Sequence, residues 1–335
     1  MSTVCWGHMP GRTAAKKAEM ARFLGIDTSN YTTSAALYDT EQCRIYQAKR
    51  LLPVKPGEAG LRQSDAVFHH TRQLPQIMDE LFSQTPPMFD AIGVSARPRS
   101  GEESYMPCFL CGEGIGSILA GTHQVPLYQT SHQIGHILAA LYSADAMHLL
   151  QAPFLAFHVS GGTTDCVLCT PDPAQCLRIE PVSTSLDLKA GQAVDRVGLM
   201  LGLQFPCGPA LEQLAMQCGS LPMRPRPVMK GPNCCLSGLQ NQCQHLLDQG
   251  TPAPQIALYC LMAIAETVYA MTKAAFGVYG QLPVVYAGGV MSNQLIRREI
   301  CRHGTAYFAA PAFSCDNAAG VAVYAALSAE EGKQP

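Results

Sequence analysis

Apolar runs and polar breaks alternate along this chain with two periods, and the changes of period mark the elements. Phe23-Leu24-Gly25-Ile26 is a short apolar run ending in Asp27-Thr28-Ser29, which is the pattern of a buried strand running into a turn. Ser34–Tyr38 reads as a second strand and makes a hairpin with the first. From Ala66 to Leu81 the apolar residues recur at helical spacing. Phe89–Ser95 reads as a strand into a turn, Cys111–Gly121 as a helix and Val125–Tyr128 as a short strand. Ser131–Leu141 reads as a helix with Ser131 as its N-cap.

The pattern then restarts. Phe154–Val159 is a strand, Ser160-Gly161-Gly162-Thr163-Thr164 a turn, and a further strand reaches Cys169. Helices are predicted over 190–201 and 253–276, a strand over 284–287 that ends at Gly288-Gly289, and a last helix over about 317–327. The Pro-, Gly- and Cys-rich stretch 219–238 reads as an irregular insertion. Two openings of the same kind, at residues 23 and 154, predict an α/β protein of two lobes around a central cleft. The expected division is an N-terminal extension over 1–19, a first lobe over 20–150 onto which the C-terminal helix packs back, and a second lobe over 151–316. Met20 is an alternative start.

A chain of 335 residues with 47% hydrophobic and 14% charged residues is globular rather than disordered. The net charge of -2 rules out a polycation, so nucleic acid would need a local basic patch or a partner's surface. Fifteen cysteines, an odd number, with no secretory signal, suit a reducing cytosol and buried thiols. Two C-x-x-C pairs, Cys108/Cys111 and Cys166/Cys169, raise the question of zinc. The strand-like setting of the second pair argues for plain buried thiols. No stretch of 18 apolar residues appears, so no membrane-spanning helix is expected.

The residues able to do chemistry fall in short motifs. His132 and His136 stand at i and i+4, on one helical face, a spacing that suits two ligands of one metal. The pair lacks the glutamate of H-E-x-x-H. Ser160-Gly161-Gly162 can bring backbone N–H groups close to a phosphate. Gly288-Gly289, between a strand and a helix, fits either a nucleotide-facing turn from which Asn293 could reach an adenine or ribose or a plain helix start. Asp316 begins the last helix, as an N-cap or as a third metal ligand beside the two histidines. Asp195 and Glu212 flank Phe205-Pro206-Cys207-Gly208-Pro209. His69 and His70 are assigned no function.

In this order the motifs resemble the bacterial TsaD group of threonylcarbamoyl transferases and its relatives, once called O-sialoglycoprotein endopeptidases. The resemblance runs from Phe23 to Leu327. It rests on Gly25–Ser29, His132/His136, Ser160-Gly161-Gly162, Ala190–Asp195, Phe205–Pro209, Ser237-Gly238-Leu239, Gly288–Asn293 and Asp316-Asn317. It implies the two-lobed fold of actin-like ATPases, sugar kinases and acetate kinase. The implied reaction is transfer of threonylcarbamoyl from threonylcarbamoyl-AMP to the exocyclic amine of the adenosine next to the tRNA anticodon. The resemblance also implies one divalent metal, iron or zinc, on His132, His136 and Asp316, and a catalytic Asp27. Val159, Ser160, Gly161 and Gly162 would hold the phosphate and carbamoyl end of the substrate. Asp195, Gly208, Glu212 and Asn293 would hold its nucleoside. Bacterial partner proteins of the pathway and a cytoplasmic location are expected with it. The chain differs from the family pattern at Asp27 (Glu in the family), Thr163 (His), Gln192 (Glu) and Arg97-Pro98-Arg99 (Gly-Pro-Gly). Two alternatives therefore stand beside the main one: a divergent carbamoyl or phosphoryl transferase for a small molecule, and a non-catalytic nucleotide-binding partner.

Overall fold

The computed structural model describes residues 21–29, 31–53, 61–100, 105–315 and 318–332. The expected extension over 1–19, Met20, Asp316 and Asn317 lie outside the described residues.

The opening apolar run forms β1 (Arg22–Ser29). Both of its faces are covered, so Phe23 to Ser29 are all buried instead of alternating. β2 (Thr32–Asp39) pairs antiparallel with β1, and β3 (Arg44–Leu51) antiparallel with β2. α1 (Gln63–Gln84) buries a stripe of Ala66, His70, Leu74, Ile77 and Leu81, the i, i+4, i+8 pattern of an amphipathic helix. β4 (Ala91–Arg97) runs parallel to β1. After α2 (Phe109–His123), β5 (Leu127–Ser131) runs parallel to β4. α3 (His132–Ser143) begins at the residue after β5.

The second half opens with β6 (Phe154–Val159) and β7 (Thr164–Asp172), an antiparallel hairpin, followed by β8 (Cys176–Thr184). Next come α4 (Ala190–Met200), α5 (Gly208–Met216), the two short antiparallel strands β9 (Val228–Lys230) and β10 (Asn233–Cys235), α6 (Ser237–Asp248) and α7 (Ala253–Tyr279). β11 (Val284–Ala287) lies parallel to β6. α8 (Gln294–Cys301) leads to β12 (Ala306–Phe308), parallel to β11, and α9 (Ala319–Glu330) ends the order.

The sheets are ordered β3-β2-β1-β4-β5 and β8-β7-β6-β11-β12. Each therefore has a three-strand opening followed by two parallel strands beside the first, which is the repeat expected from the restart at residue 154. The stretch 219–238 is not irregular throughout, because it contains the β9–β10 hairpin.

The chain divides into two compact units. The first holds the described residues up to Ala139, Ala174–Cys176 and α9; the second holds Ala140–Pro173 and Leu177–Cys315. The division runs inside α3, whereas the sequence reading puts it near residue 150. In the first unit α9 lies hard against β1 and β4. A Cβ on Gly25 would stand 2.5 Å from the Ala318 carbonyl oxygen, and one on Gly93 2.5 Å from that of Val321. In the second unit α7 is the one described helix long and apolar enough to cross a membrane by length and composition. Its buried residues, among them Ile256, Leu261, Ile264, Val268 and Met271, belong to this unit's hydrophobic core.

Candidate functional site

In the first unit the chemistry gathers where β1, β4 and β5 end. β5 runs straight into α3, so His132 is held at the junction and His136 follows one turn later. Their ring centroids are 4.3 Å apart, with the planes at 78°. Asp27, 1% exposed, places Oδ2 2.7 Å from His132 Nδ1. With the carboxylate oxygen accepting, Nδ1 carries the hydrogen and Nε2 is the ring nitrogen that a metal would use. A carboxylate behind a histidine is the usual support of a metal ligand, since it fixes the ring and raises its basicity.

Asp27 Oδ1 is buried without a partner among the described residues, so the carboxylate is only half satisfied. The donor set of two imidazoles, one of them backed by a carboxylate, suits iron or zinc. Among the described residues no three His, Cys, Asp or Glu form a complete metal set, and Asp316 lies outside them. Gly135, between the two histidines, touches α9 at Gly320, where a Cβ would lie 1.8 Å from the Gly135 carbonyl oxygen. Only a glycine at position 320 lets the start of α9 approach the histidine helix this closely.

On the other side of β1, Thr28 Oγ1 donates to the Cys108 carbonyl (2.9 Å) and accepts from Gly112 N–H (3.1 Å), which pins the start of α2. Burial first, then the charge of Asp27, pushes the Cys108 thiol up to about 12. Cys111 is also pushed up, by burial, as are Cys166 and Cys169 on β7. All four are therefore thiols rather than thiolates in the metal-free protein. Arg97 follows a register shift between β4 and β5. Its charge offsets part of the burial that raises the Glu113 carboxyl, and Gln133 N–H donates to the Pro98 carbonyl at 3.1 Å. The Arg-Pro-Arg turn thus supports α2 and the first turn of α3.

His70, assigned no function from the sequence, is a core histidine. It is fully buried, and burial lowers its pKa to about 4 despite the opposing charge of Asp27. Thr33 Oγ1, 2.8 Å from His70 Nδ1, donates to Gln73 Oε1. The available signal was its place in the buried stripe of α1.

In the second unit, the loop from β6 to β7 closes with Ser160 N–H donating to the Thr163 carbonyl at 2.7 Å. Ser160 Oγ accepts from Gly162 N–H (3.3 Å) and Thr163 N–H (3.2 Å). Gly161 and Gly162 have open space above them. An anion taking up the Gly162 and Thr163 amides would displace Ser160 Oγ. Val159, at the end of β6, packs against Gly288. That glycine has φ 98°, and a Cβ there would stand 2.2 Å from the Val159 carbonyl oxygen.

The residues expected to hold a nucleoside are tied to backbone amides. Asp195 Oδ1 accepts from Cys207 N–H (2.9 Å), which anchors the loop before Gly208, the first residue of α5. Glu212 Oε1 accepts from Gln294 N–H (2.6 Å). Asn293 Oδ1 caps α8, accepting from Leu295 and Ile296 N–H. Two of these contacts, those of Glu212 and Asn293, meet at the start of α8. Gln192 Oε1 accepts from Lys189 N–H at 3.3 Å, a bond a glutamate in its place would make equally.

Asp187 escaped the sequence reading. Oδ1 accepts from Leu188 and Leu236 N–H, and Oδ2 from Ser237 N–H and Oγ. Burial alone would raise this carboxyl, but the bonds from Ser237, Leu236 and Leu188 outweigh it and hold the pKa at about 2. A cavity of about 430 Å³ in this unit, lined by Tyr269, Phe276, Tyr286, His303 and Tyr307 among others, includes none of the expected site residues.

The family model described as TsaD, tRNA N6-adenosine threonylcarbamoyltransferase, matches residues 55–323. Among solved structures, the chain is similar to component A of the Acidaminococcus fermentans (R)-2-hydroxyglutaryl-CoA dehydratase. Identity is 15% and the TM-score 0.52, over 93% of this chain and 100% of that one. It is similar to HypF of T. kodakarensis at 12% identity and TM-score 0.57, over 93% of this chain and 47% of that one. It is also similar to a ROK family glucokinase of Streptomyces griseus at 11% and 0.52, over 91% and 99%. At these identities the likenesses show the fold, that of the actin-like ATPases and sugar kinases.

Proposed function

The chain belongs to the TsaD family of tRNA N6-adenosine threonylcarbamoyltransferases, and from that premise we propose a specific reaction: transfer of the threonylcarbamoyl group of threonylcarbamoyl-AMP to the exocyclic amine of the adenosine next to the tRNA anticodon. In this step the amine nitrogen bonds to the carbamoyl carbon, the bond from that carbon to the phosphate oxygen breaks, AMP leaves and the amine gives up a proton. The observation that carries the reading is the Asp27–His132–His136 arrangement, with a 2.7 Å bond behind the first histidine.

His132 Nε2, His136 and Asp316 would hold one divalent ion, iron or zinc, and Asp27 would fix His132. A bound metal of this kind supplies Lewis-acid polarisation of a carbonyl. The protein's own part is positional. Val159 and the Ser160–Gly162 loop bind the phosphate and carbamoyl end, with Gly161 N–H as a donor for developing negative charge. Asp195, Gly208, Glu212 and Asn293 bind the nucleoside. The phosphate is a good leaving group, so orienting the amine and excluding water make up most of the work. Partner proteins of the pathway and a cytoplasmic location belong to the same proposal.

Neither alternative reading gains support. Gln192 caps α4, which removes one motive for a different substrate, and a non-catalytic partner has no need of a backed histidine pair. The test is threonylcarbamoyl transfer to tRNA by the purified protein with its partners, comparing wild type with His136→Ala. Loss of both metal content and transfer in the variant supports the proposal. A wild type that modifies no tRNA overturns it.

A further inference from the structure

Four oxygens at the ends of the parallel strands of the first unit are buried without a partner among the described residues: Asp27 Oδ1, Ser29 Oγ, Ser95 Oγ and Thr130 Oγ1. Their residues are 1%, 3%, 0% and 2% exposed. They share one face of the sheet. Gly25 and Gly93 face α9, and side chains alternate along a strand, so Asp27, Ser29 and Ser95 face α9 too. Ile26 is in register with Val94, which sets Asp27 beside Ser95, and Ser95 is in register with Thr130. The result is a row across three adjacent strands, Asp27–Ser95–Thr130, with its first member bonded to His132.

Spacing decides what joins the row. No direct bond joins neighbouring members of the row among the described residues, and strands ~4.8 Å apart are close to the ~5.6 Å that one bridging water spans. Buried polar groups are satisfied by protein or by ordered water, and such a water needs two or more polar partners, which each gap in the row supplies.

We propose that Ser95 and Thr130 are positioning residues, joined to Asp27 Oδ1 through ordered water, so that the row fixes the carboxylate that fixes His132. The functional consequence rests on the metal reading of His132 and His136; the row itself does not.

The first test needs no metal. Thr130 stands two strands from Asp27, a separation at which independent substitutions add. In a double-mutant cycle on metal-free full-length protein, the Asp27→Ala/Thr130→Val variant should melt about where the more damaging single variant does. Additive shifts in melting temperature overturn the proposal. Thr130→Val alone should lower the melting temperature by about 2–4 °C, and Thr130→Ser, which keeps the hydroxyl, should restore most of it. A hydroxyl that bonds nothing would be replaced by valine without loss, so an unchanged or raised melting temperature also overturns it. The second test is affinity for Zn²⁺ under chelator competition. Ser95→Ala should weaken it by about ten-fold and Ser95→Thr should not. An unchanged affinity in Ser95→Ala overturns the positioning role. A wild type that binds no Zn²⁺ or Fe²⁺ defeats the metal reading and with it the positioning role, while the cycle still decides whether the row is joined.

Discussion

The contact between α3 and α9 sets up a direct conflict between two known effects, and Gly320→Ala decides it. Alanine is favoured over glycine in a helix interior by up to ~1 kcal/mol. Position 320 is the second residue of α9, so the gain there is smaller. Against it stands the contact itself: the new methyl would lie 1.8 Å from the Gly135 carbonyl oxygen and 2.6 Å from Ala139 N. Relief requires α9 to withdraw from α3. Its next residues, Val321 and Ala322, are buried where the helix lies against Gly25 and Gly93, so withdrawal also opens a void over β1 and β4. Overpacking of this kind costs ~1–3 kcal/mol, and the void adds to it, for a net loss of about 2 kcal/mol after the helix gain. Urea unfolding should show a lower midpoint, and metal content should fall, because the start of α9 moves off the histidine helix. Gly114→Ala in α2 is the control. Nothing lies within 4 Å of its methyl, so that variant should gain stability. If Gly320→Ala gains as well, the two helices do not approach this closely, and the start of α9 does not lie against the histidine helix.

Two further predictions concern pH. His70 is held neutral in the folded protein with a pKa of about 4 against an ordinary 6.5, so its contribution is complete above pH 6.5 and is lost as pH falls towards 4, up to about 3 kcal/mol. Urea midpoints at pH 7 and pH 4.5 should converge more in His70→Leu than in wild type; equal pH slopes in the two proteins refute the assignment. Asp187 has the same direction of dependence in a lower window. Its carboxyl is held at about 2, so its stabilising effect is present above an ordinary 3.8 and is lost as pH falls through 2. Asp187→Asn should lower the melting temperature at pH 7 and make no difference near pH 2. It should also speed hydrogen exchange at the Leu236 and Ser237 amides, and unchanged exchange there would count against the cap.

Local patterns carried most of the fold. The central strands were visible because both faces of β1 and β6 are covered and each opens on an unbroken apolar run, Phe23–Ile26 and Phe154–Phe157. β3 was not visible. It is an edge strand whose residues, apart from Ala48, are only half-buried or exposed, so Arg44–Leu51 has no apolar run to announce it. β9 and β10 are three residues each, below the length at which alternation is readable. The site divides the same way. His132 and His136 stand four residues apart, and a helical period exposes the pair. Asp27 and His132 stand 105 residues apart, and no period joins them, so the placing of the carboxylate behind the histidine is visible only once the sheet forms. Asp187 is the extreme case: its partners at 236 and 237 are distant, and an aspartate in a loop has no pattern of its own.

The same distinction explains the departures from the family pattern. Each looks like altered ligand chemistry when only the residue type is known. In the folded chain Gln192 offers an oxygen to Lys189 N–H, a function that does not need a negative charge. Thr163 contributes its backbone amide to Ser160 Oγ, which does not depend on its side chain. Arg97 lies past a strand irregularity and acts on Glu113. These three positions act through backbone and supporting contacts, where several residue types serve. Asp27 is different, because its side chain carries the contact. A shorter acid than glutamate leaves the carboxylate close to its strand, where it bonds His132 and lies beside Ser95. The departure at Asp27 is therefore the one to which the chemistry of this chain should be most sensitive, and lengthening it by one methylene in Asp27→Glu is the substitution that separates a family difference without consequence from one to which the rest of the row has adapted.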